Sequence, residues 1–248
     1  FLSDYDKDIW NLTYPNTIVS YNFMNSSDYS KNQTKLEACT DLNINSASFN
    51  VLFVGGMNRI KGTEVLVNSM KLLKDDNINL IIAGNNPGLF SFSSIVEFWK
   101  SLIYLKNKYY YHKINYIIST SFISNKVHYV GIQNEIRKAF DACDVLVVPM
   151  IESHQARPVF EFGCQKKPVI ITGFSNIKDF VKNNYNGLTF SVGSYNELAI
   201  KIKTLYNDKK LYQRLGENNY LNSIQNHERK VVITKLVNNI DKLFLANN

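Results

Sequence analysis

The sequence predicts an α/β fold built on a doubly wound parallel sheet, and three observations carry that reading. Short apolar runs rich in Val and Ile recur at Asn50–Gly55, Ile78–Gly84, Val127–Gly131, Asp144–Pro149 and Pro168–Thr172. Runs this short and this continuously apolar read as strands covered on both faces. Helical stretches lie between them, with connections of the length that right-handed crossovers between parallel strands require. Glycine-containing turns close several runs, at Gly55-Gly56, Asn85-Asn86-Pro87-Gly88 and Gly131-Ile132-Gln133. That sets loops at the strand carboxyl ends, where open parallel sheets bind ligands.

Residues 1–48 lack sustained periodicity. Trp10, Tyr14 and the Thr17–Tyr21 run suggest one short helix and one strand. Asn25–Ser48 is rich in Ser, Asn, Thr and Asp and reads as a linker. After the first clear strand, Lys61-Gly62-Thr63 opens a helix with Val65, Leu66, Met70, Leu72 and Leu73 on its apolar side. Ile95, Phe98, Trp99, Leu102, Ile103 and Leu105 form a stripe with Lys100, Lys106, Lys108 and Lys113 nearby. Such a basic aromatic helix either packs on the sheet or lies on an anionic membrane surface. Gln133–Cys143 and Tyr195–Tyr206 read as helices, Leu188–Phe190 as a short strand. Asp208–Ile224 and Glu228–Leu245 are further helices, the last with Val231, Val232, Leu236, Ile240 and Leu243 facing inward.

The 248 residues allow one large domain or two small ones. With 45 % hydrophobic and 20 % charged residues, the chain falls in the ordinary globular class rather than the disordered or fibrous ones. No apolar run reaches the roughly 18 residues of a membrane-spanning helix. Cys39, Cys143 and Cys164 show no metal spacing and read as buried reduced thiols, which fits a cytoplasmic setting. Three lysines against six acids give residues 1–50 a net −3, so the remainder carries +10 of the overall +7. That balance favours anionic partners, unless it is only a solvated basic face.

The centre of the chain is Pro149–Thr172. Pro158 suits the first position of a helix, where its missing N–H costs nothing and its φ is already helical. Glu161 then falls in the first turn, and free backbone N–H groups at the helix start favour an anion. Glu161 followed by Pro168-Val169-Ile170 resembles the C-terminal signature of GT-B glycosyltransferases of retaining family 4 (group 1), which use nucleotide-sugar donors. Gly55, Met57, Lys61 and Gly62 keep the frame of a second family motif, although Gly56 stands where the family has Arg. Thr172–Gly187 also follows the family frame, so the resemblance covers residues 50 to about 225.

Several expectations follow from that resemblance. The fold is the Rossmann-like C-terminal half of a GT-B enzyme. Residues 1–48 end a first domain and form the linker, 49–207 bind the donor, and 208–248 are C-terminal helices. The donor is a nucleotide diphospho-sugar and serves as substrate, so no cofactor and no metal is implied. Lys61 and Arg157, with the N–H groups of Val159 and Phe160, hold the diphosphate, and Gly55 and Gly56 make the turn beside it. Glu161 accepts hydrogen bonds from ribose, and Ile132 lines the same cleft. Arg59 or Arg157 compensates for the Arg missing at Gly56; otherwise Arg157 points to solvent or pairs with Glu152 or Glu161.

His154, Gln155 and Ala156 face the sugar together with Glu152, the candidate catalytic residue. The family leaves seven residues between its two Glu; Glu152 and Glu161 leave eight. Either the loop bulges and Glu152 keeps the role, or Ser153 occupies the position. The expected partners are the nucleotide-sugar donor, the protein's own N-terminal acceptor domain and a peripheral membrane contact, and no nucleic acid. A nucleotide-sugar-binding domain without catalysis, or an unrelated Rossmann-like interaction domain, are the other readings.

Overall fold

The computed structural model describes residues 18–85, 97–153 and 156–246, the backbone alone at 97–107 and 243–246. Trp10 and Tyr14, His154 and Gln155, Leu243, and all of the Ile95–Leu105 stripe's side chains therefore lie outside what is described. Six strands form one sheet: β1 (Phe49–Val54), β2 (Ile78–Ala83), β3 (Val127–Gly131), β4 (Val145–Val148), β5 (Val169–Thr172) and β6 (Leu188–Phe190). Their order is β3-β2-β1-β4-β5-β6, and every pairing is parallel. The predicted doubly wound sheet is what forms.

Alternation along the strands divides the interior into two cores. Val51, Phe53, Leu80, Ile82, Val145, Val147 and Ile170 face one side. There they meet α3 (Thr63–Leu72), α4 (Glu97–Thr120) and α7 (Tyr195–Asn207). Leu52, Ile81, Leu146, Val169 and Ile171 face the other. That side is covered by α2 (Lys35–Asp41), α5 (Ile136–Ala142) and α6 (Pro158–Gly163). Burial on both faces is why the strands read as unbroken apolar runs.

The segment read as linker is partly helical. It holds α1 (Ser26–Tyr29) and α2, whose N-terminus carries a capping box between Thr34 and Glu37. Ala38 and Cys39 are buried in the second core, so apolar contact overrides the polar composition around them. No strand forms over residues 18–21; an isolated bridge joins Met24 to Glu228 instead.

The stretch after β2 forms one helix of 24 residues, longer than its stripe suggested, with Tyr110, Ile114 and Ile118 buried against the sheet. Its described part thus packs on the core. Helices α8 (Lys209–His227) and α9 (Arg229–Ala246) close the chain. On α9, Val232 is buried, whereas Ile240, expected inward, is 37 % exposed. Among the described residues no helix is long and apolar enough to cross a membrane.

Candidate active site

Strands β1 and β4 are neighbours, pairing Val51 with Val145 and Leu52 with Leu146. The helices that follow them pack on opposite faces: Leu66, Val67 and Met70 of α3 in one core, Val159 and Phe162 of α6 in the other. This is the point at which the strand order reverses, where open parallel sheets bind ligands. The sheet topology therefore sets the Gly55–Gly62 loop beside the segment that begins at Pro149, although they are about a hundred residues apart in the chain.

Backbone hydrogen bonds tie the first three strand ends together. The Gly55 and Gly56 N–H groups both donate to the Ala83 carbonyl, at 3.0 and 3.1 Å. Met57 N–H donates to the Asn85 carbonyl at 3.1 Å, and Gly84 N–H to that of Gly131 at 2.7 Å. Gly56 has φ +60°, and a Cβ on it would lie 2.3 Å from the Asn85 oxygen. An arginine has no room at this position while the two turns touch. Ile132 follows directly on this linked turn and is 72 % exposed.

Beyond Gly56 the loop is shaped by two residues that the sequence reading passed over. The Asn58 side-chain oxygen accepts from the N–H groups of Ile60 (2.9 Å) and Lys61 (3.3 Å). The Thr63 hydroxyl lies 2.9 Å from the Gly56 carbonyl and 3.0 Å from that of Asn58, and accepts from Asn58 N–H. An Asn two residues ahead of a bend is a recognisable turn signal. The Lys61 side chain, by contrast, has no hydrogen-bond or ion-pair partner among the described residues.

The two loops are in direct contact. Ile151 N–H donates to the Ile60 carbonyl at 3.0 Å. Gly62, at φ +83°, lies flat against the Pro149 carbonyl. Lys61 and Glu152 thus sit on adjoining segments. Glu152 and Ser153, the two alternatives for the first carboxylate position, are both exposed. Ala156 is buried and its carbonyl accepts from Val159 N–H at 2.9 Å, so one expected phosphate donor closes the turn at the start of α6.

Arg157 has helical dihedrals, φ −45° and ψ −41°, which places it one turn from Glu161 on the same helical face. Its Nε lies 2.5 Å from Glu161 Oε1, and its Nη2 donates to the Tyr29 hydroxyl at 3.4 Å. Pairing with Glu161, one of the two readings for Arg157, is what the structure shows. The Glu161 side chain is only 10 % exposed, that of Arg157 57 %. Phe160, next to Glu161, stacks on the His227 imidazole with centroids 4.1 Å apart. From behind, α8 packs on α6: Asn219 donates to the Val159 carbonyl at 3.5 Å, and a Cβ on Gly163 would lie 2.2 Å from Ser223 Oγ.

The family model described as Glycosyl transferases group 1 matches residues 36–222. The chain belongs to the group 1 glycosyltransferases. It is similar to the N,N'-diacetylbacillosaminyl-diphospho-undecaprenol alpha-1,3-N-acetylgalactosaminyltransferase of Campylobacter jejuni, 25 % identical over 146 residues, which are 54 % of this chain and 38 % of the relative. Among solved structures, a glycosyltransferase from Rickettsia africae superposes with a TM-score of 0.80 at 18 % identity, over 98 % of this chain and 62 % of that one. Anabaena HepE in complex with UDP and glucose gives 0.79 at 17 % identity, over 97 % and 61 %. The chain spans less than two thirds of each of these proteins. Its fold is the Rossmann-like half of a GT-B glycosyltransferase.

Proposed function

We propose that this chain is the donor-binding half of a retaining, metal-independent hexosyltransferase of family 4, acting in glycan biosynthesis. Its donor is a nucleotide diphospho-sugar, and the acceptor is held by an N-terminal domain that faces the crevice. The observation that carries the reading is the contact of Ile60 and Gly62 with Ile151 and Pro149 at the switch point, next in the chain to Lys61 and Glu152, with the Arg157–Glu161 pair at the start of the helix that follows. UDP in a structural neighbour supports a nucleotide donor.

In the reaction, the bond from the anomeric carbon to the phosphate oxygen breaks, and its electron pair stays with the nucleoside diphosphate. The acceptor hydroxyl oxygen forms the new bond on the same face, and its proton passes to the departing phosphate oxygen. Negative charge grows on the diphosphate as the bond breaks. Lys61, and Arg157 when it turns from Glu161, stabilise that charge more in the transition state than in the ground state. Glu161 binds the ribose hydroxyls, and Glu152 and the segment after it face the sugar. Gly55, Gly56 and Ile132 form the opposite wall.

Three buried free thiols fit a reducing, cytoplasmic setting. Tyr109 and Tyr116, exposed seven residues apart on α4 beside Lys108, form a face suited to peripheral contact with an anionic membrane. Gly56 in place of the family's Arg favours one second reading, donor binding without turnover. Titration calorimetry with UDP, GDP, ADP and CDP tests the donor site, and binding of none of them overturns it. Sugar transfer by a protein that contains both halves separates the enzyme from the binding module.

A further inference from the structure

The Arg157 guanidinium is engaged at two of its nitrogens. Nε lies 2.5 Å from Glu161 Oε1, and Nη2 donates to the Tyr29 hydroxyl at 3.4 Å. It thereby covers an oxygen of a largely buried carboxylate, the group read above as the ribose acceptor. The Arg157 side chain is more than half exposed, so the covering group has solvent to move into, and the group it covers does not. Lys61, the second cation of the site, has no hydrogen-bond or ion-pair partner among the described residues. One cation therefore stands ready for an anion, while the other is engaged on the carboxylate.

That engagement depends on the backbone of Arg157 and on a fixed anchor. With φ −45° and ψ −41°, Arg157 extends α6 by one residue, so the two side chains lie four positions apart on one face. A residue before proline ordinarily prefers extended backbone. Extended dihedrals at Arg157 would carry the guanidinium off that face and release Glu161. The anchor is Tyr29, the last residue of α1. Before it, Met24 N–H donates to the His227 carbonyl at 2.9 Å, and Ser26 N–H to the Glu228 carboxylate at 3.0 Å. After it, the N–H groups of Asn32 and Gln33 donate to the buried Asp141 carboxylate at 3.3 and 3.2 Å. The Tyr29 ring lies against Phe140 with centroids 6.2 Å apart.

We propose that Arg157 is a specificity-determining residue, which makes the donor site select nucleotides that carry a diphosphate over the bare nucleoside. The inference rests on the donor-site reading above. A nucleoside must displace the guanidinium from Glu161 and offers it nothing in return. A diphosphate offers it anionic oxygens that suit its planar fork. Arg157 leaves Glu161 for them, and the freed carboxylate accepts from the ribose hydroxyls. One side chain thus couples the phosphate and ribose subsites, and such coupling is reciprocal: filling either one favours the other. The cost of opening Glu161 lowers the apparent affinity of any ligand that does not draw Arg157 away.

The test uses the 248-residue chain and its Arg157→Ala variant. UDP, GDP and ADP are titrated first by calorimetry. The nucleoside of the one that binds best is then titrated alone and with saturating inorganic pyrophosphate, followed by NMR chemical shifts. In the parent chain, pyrophosphate should tighten the nucleoside about threefold, the weight of one partly exposed ion pair. In Arg157→Ala, the nucleoside should bind about threefold tighter than in the parent, and pyrophosphate should add nothing. The nucleoside diphosphate should bind the variant more weakly. Opposite shifts for two ligands that share base and ribose separate this role from a structural one, which would weaken both. A nucleoside affinity that does not rise in Arg157→Ala overturns the inference. So does pyrophosphate that leaves the parent's nucleoside affinity unchanged or lowers it, a measurement that needs no variant. If the parent binds none of UDP, GDP and ADP, the donor-site reading fails and the inference with it. If it binds one and the nucleoside does not respond in this way, the inference fails alone.

Discussion

Gly62 stands so close to Pro149 that a Cβ built on it would lie 1.7 Å from the Pro149 carbonyl oxygen. This contact holds the α3 start against the strand end of β4. Gly62→Ala must both adopt φ +83° and push the two loops apart. Gly193, at φ +74° with nothing within 4 Å, isolates the backbone cost alone. Gly193→Ala should destabilise by about 1–2 kcal/mol, and Gly62→Ala by clearly more, as read from urea denaturation. Equal losses would mean that the loop contact carries no weight.

Lys61→Ala should weaken binding of a nucleoside diphosphate by about 1.5–3 kcal/mol, the range for a hydrogen bond to a charged group. Stability should stay within about 0.5 kcal/mol, because Lys61 has no partner among the described residues to lose. Calorimetry and thermal melting of the same preparation check both halves. Unchanged affinity removes Lys61 from the site.

Arg157→Lys replaces a planar fork with a point charge. Diphosphate affinity should drop, while stability barely changes: the pair with Glu161 is about half exposed on the Arg side, and such pairs contribute little. Should the variant bind as well as the parent, Lys61 and the α6 start suffice without Arg157.

Acid should loosen the back of the site through His227. Burial, the largest cause, pushes its pKa down to about 4, and its ring lies between Phe160 and Tyr21, with Nδ1 3.0 Å from the Asn22 carbonyl. The folded state then binds fewer protons than the unfolded one. Its contribution is complete above the unfolded value near 6.5 and is lost as pH falls toward 4, by up to about 3 kcal/mol. His227→Gln should flatten that limb of the stability curve, measured by denaturant unfolding at pH 7.5 and pH 5. An identical slope in both proteins refutes the assignment.

Much of this arrangement was legible in the chain. β3 and β6 fall on the expected residues, and β1, β2, β4 and β5 within one residue at either end, because Val- and Ile-rich runs buried on two faces leave little else to form. The meeting of the Lys61 and Glu152 loops was legible too, since the predicted parallel sheet brings both to the strand carboxyl ends. Arg157 and Glu161 were four apart, yet their pairing needed the helical dihedrals of Arg157, which a residue before proline usually avoids. Tyr29 was not legible. It reaches Arg157 across 128 positions, on a segment held by hydrogen bonds from Met24, Ser26, Asn32 and Gln33 that no local pattern announces. Gly56 was visible as a departure, but its tight approach to the Asn85 carbonyl is a contact between turns on separate strands.

The most direct test of the donor site is a crystal structure of the chain with the nucleoside diphosphate that binds best in calorimetry. The diphosphate is expected in the crevice between the Gly55–Gly62 and Pro149–Arg157 loops. Lys61 Nζ and an Arg157 guanidinium nitrogen should lie within about 3 Å of phosphate oxygens, and the ribose hydroxyls on Glu161. A nucleotide bound elsewhere on the chain, or one in the crevice with Glu161 still closed by Arg157, would contradict the account.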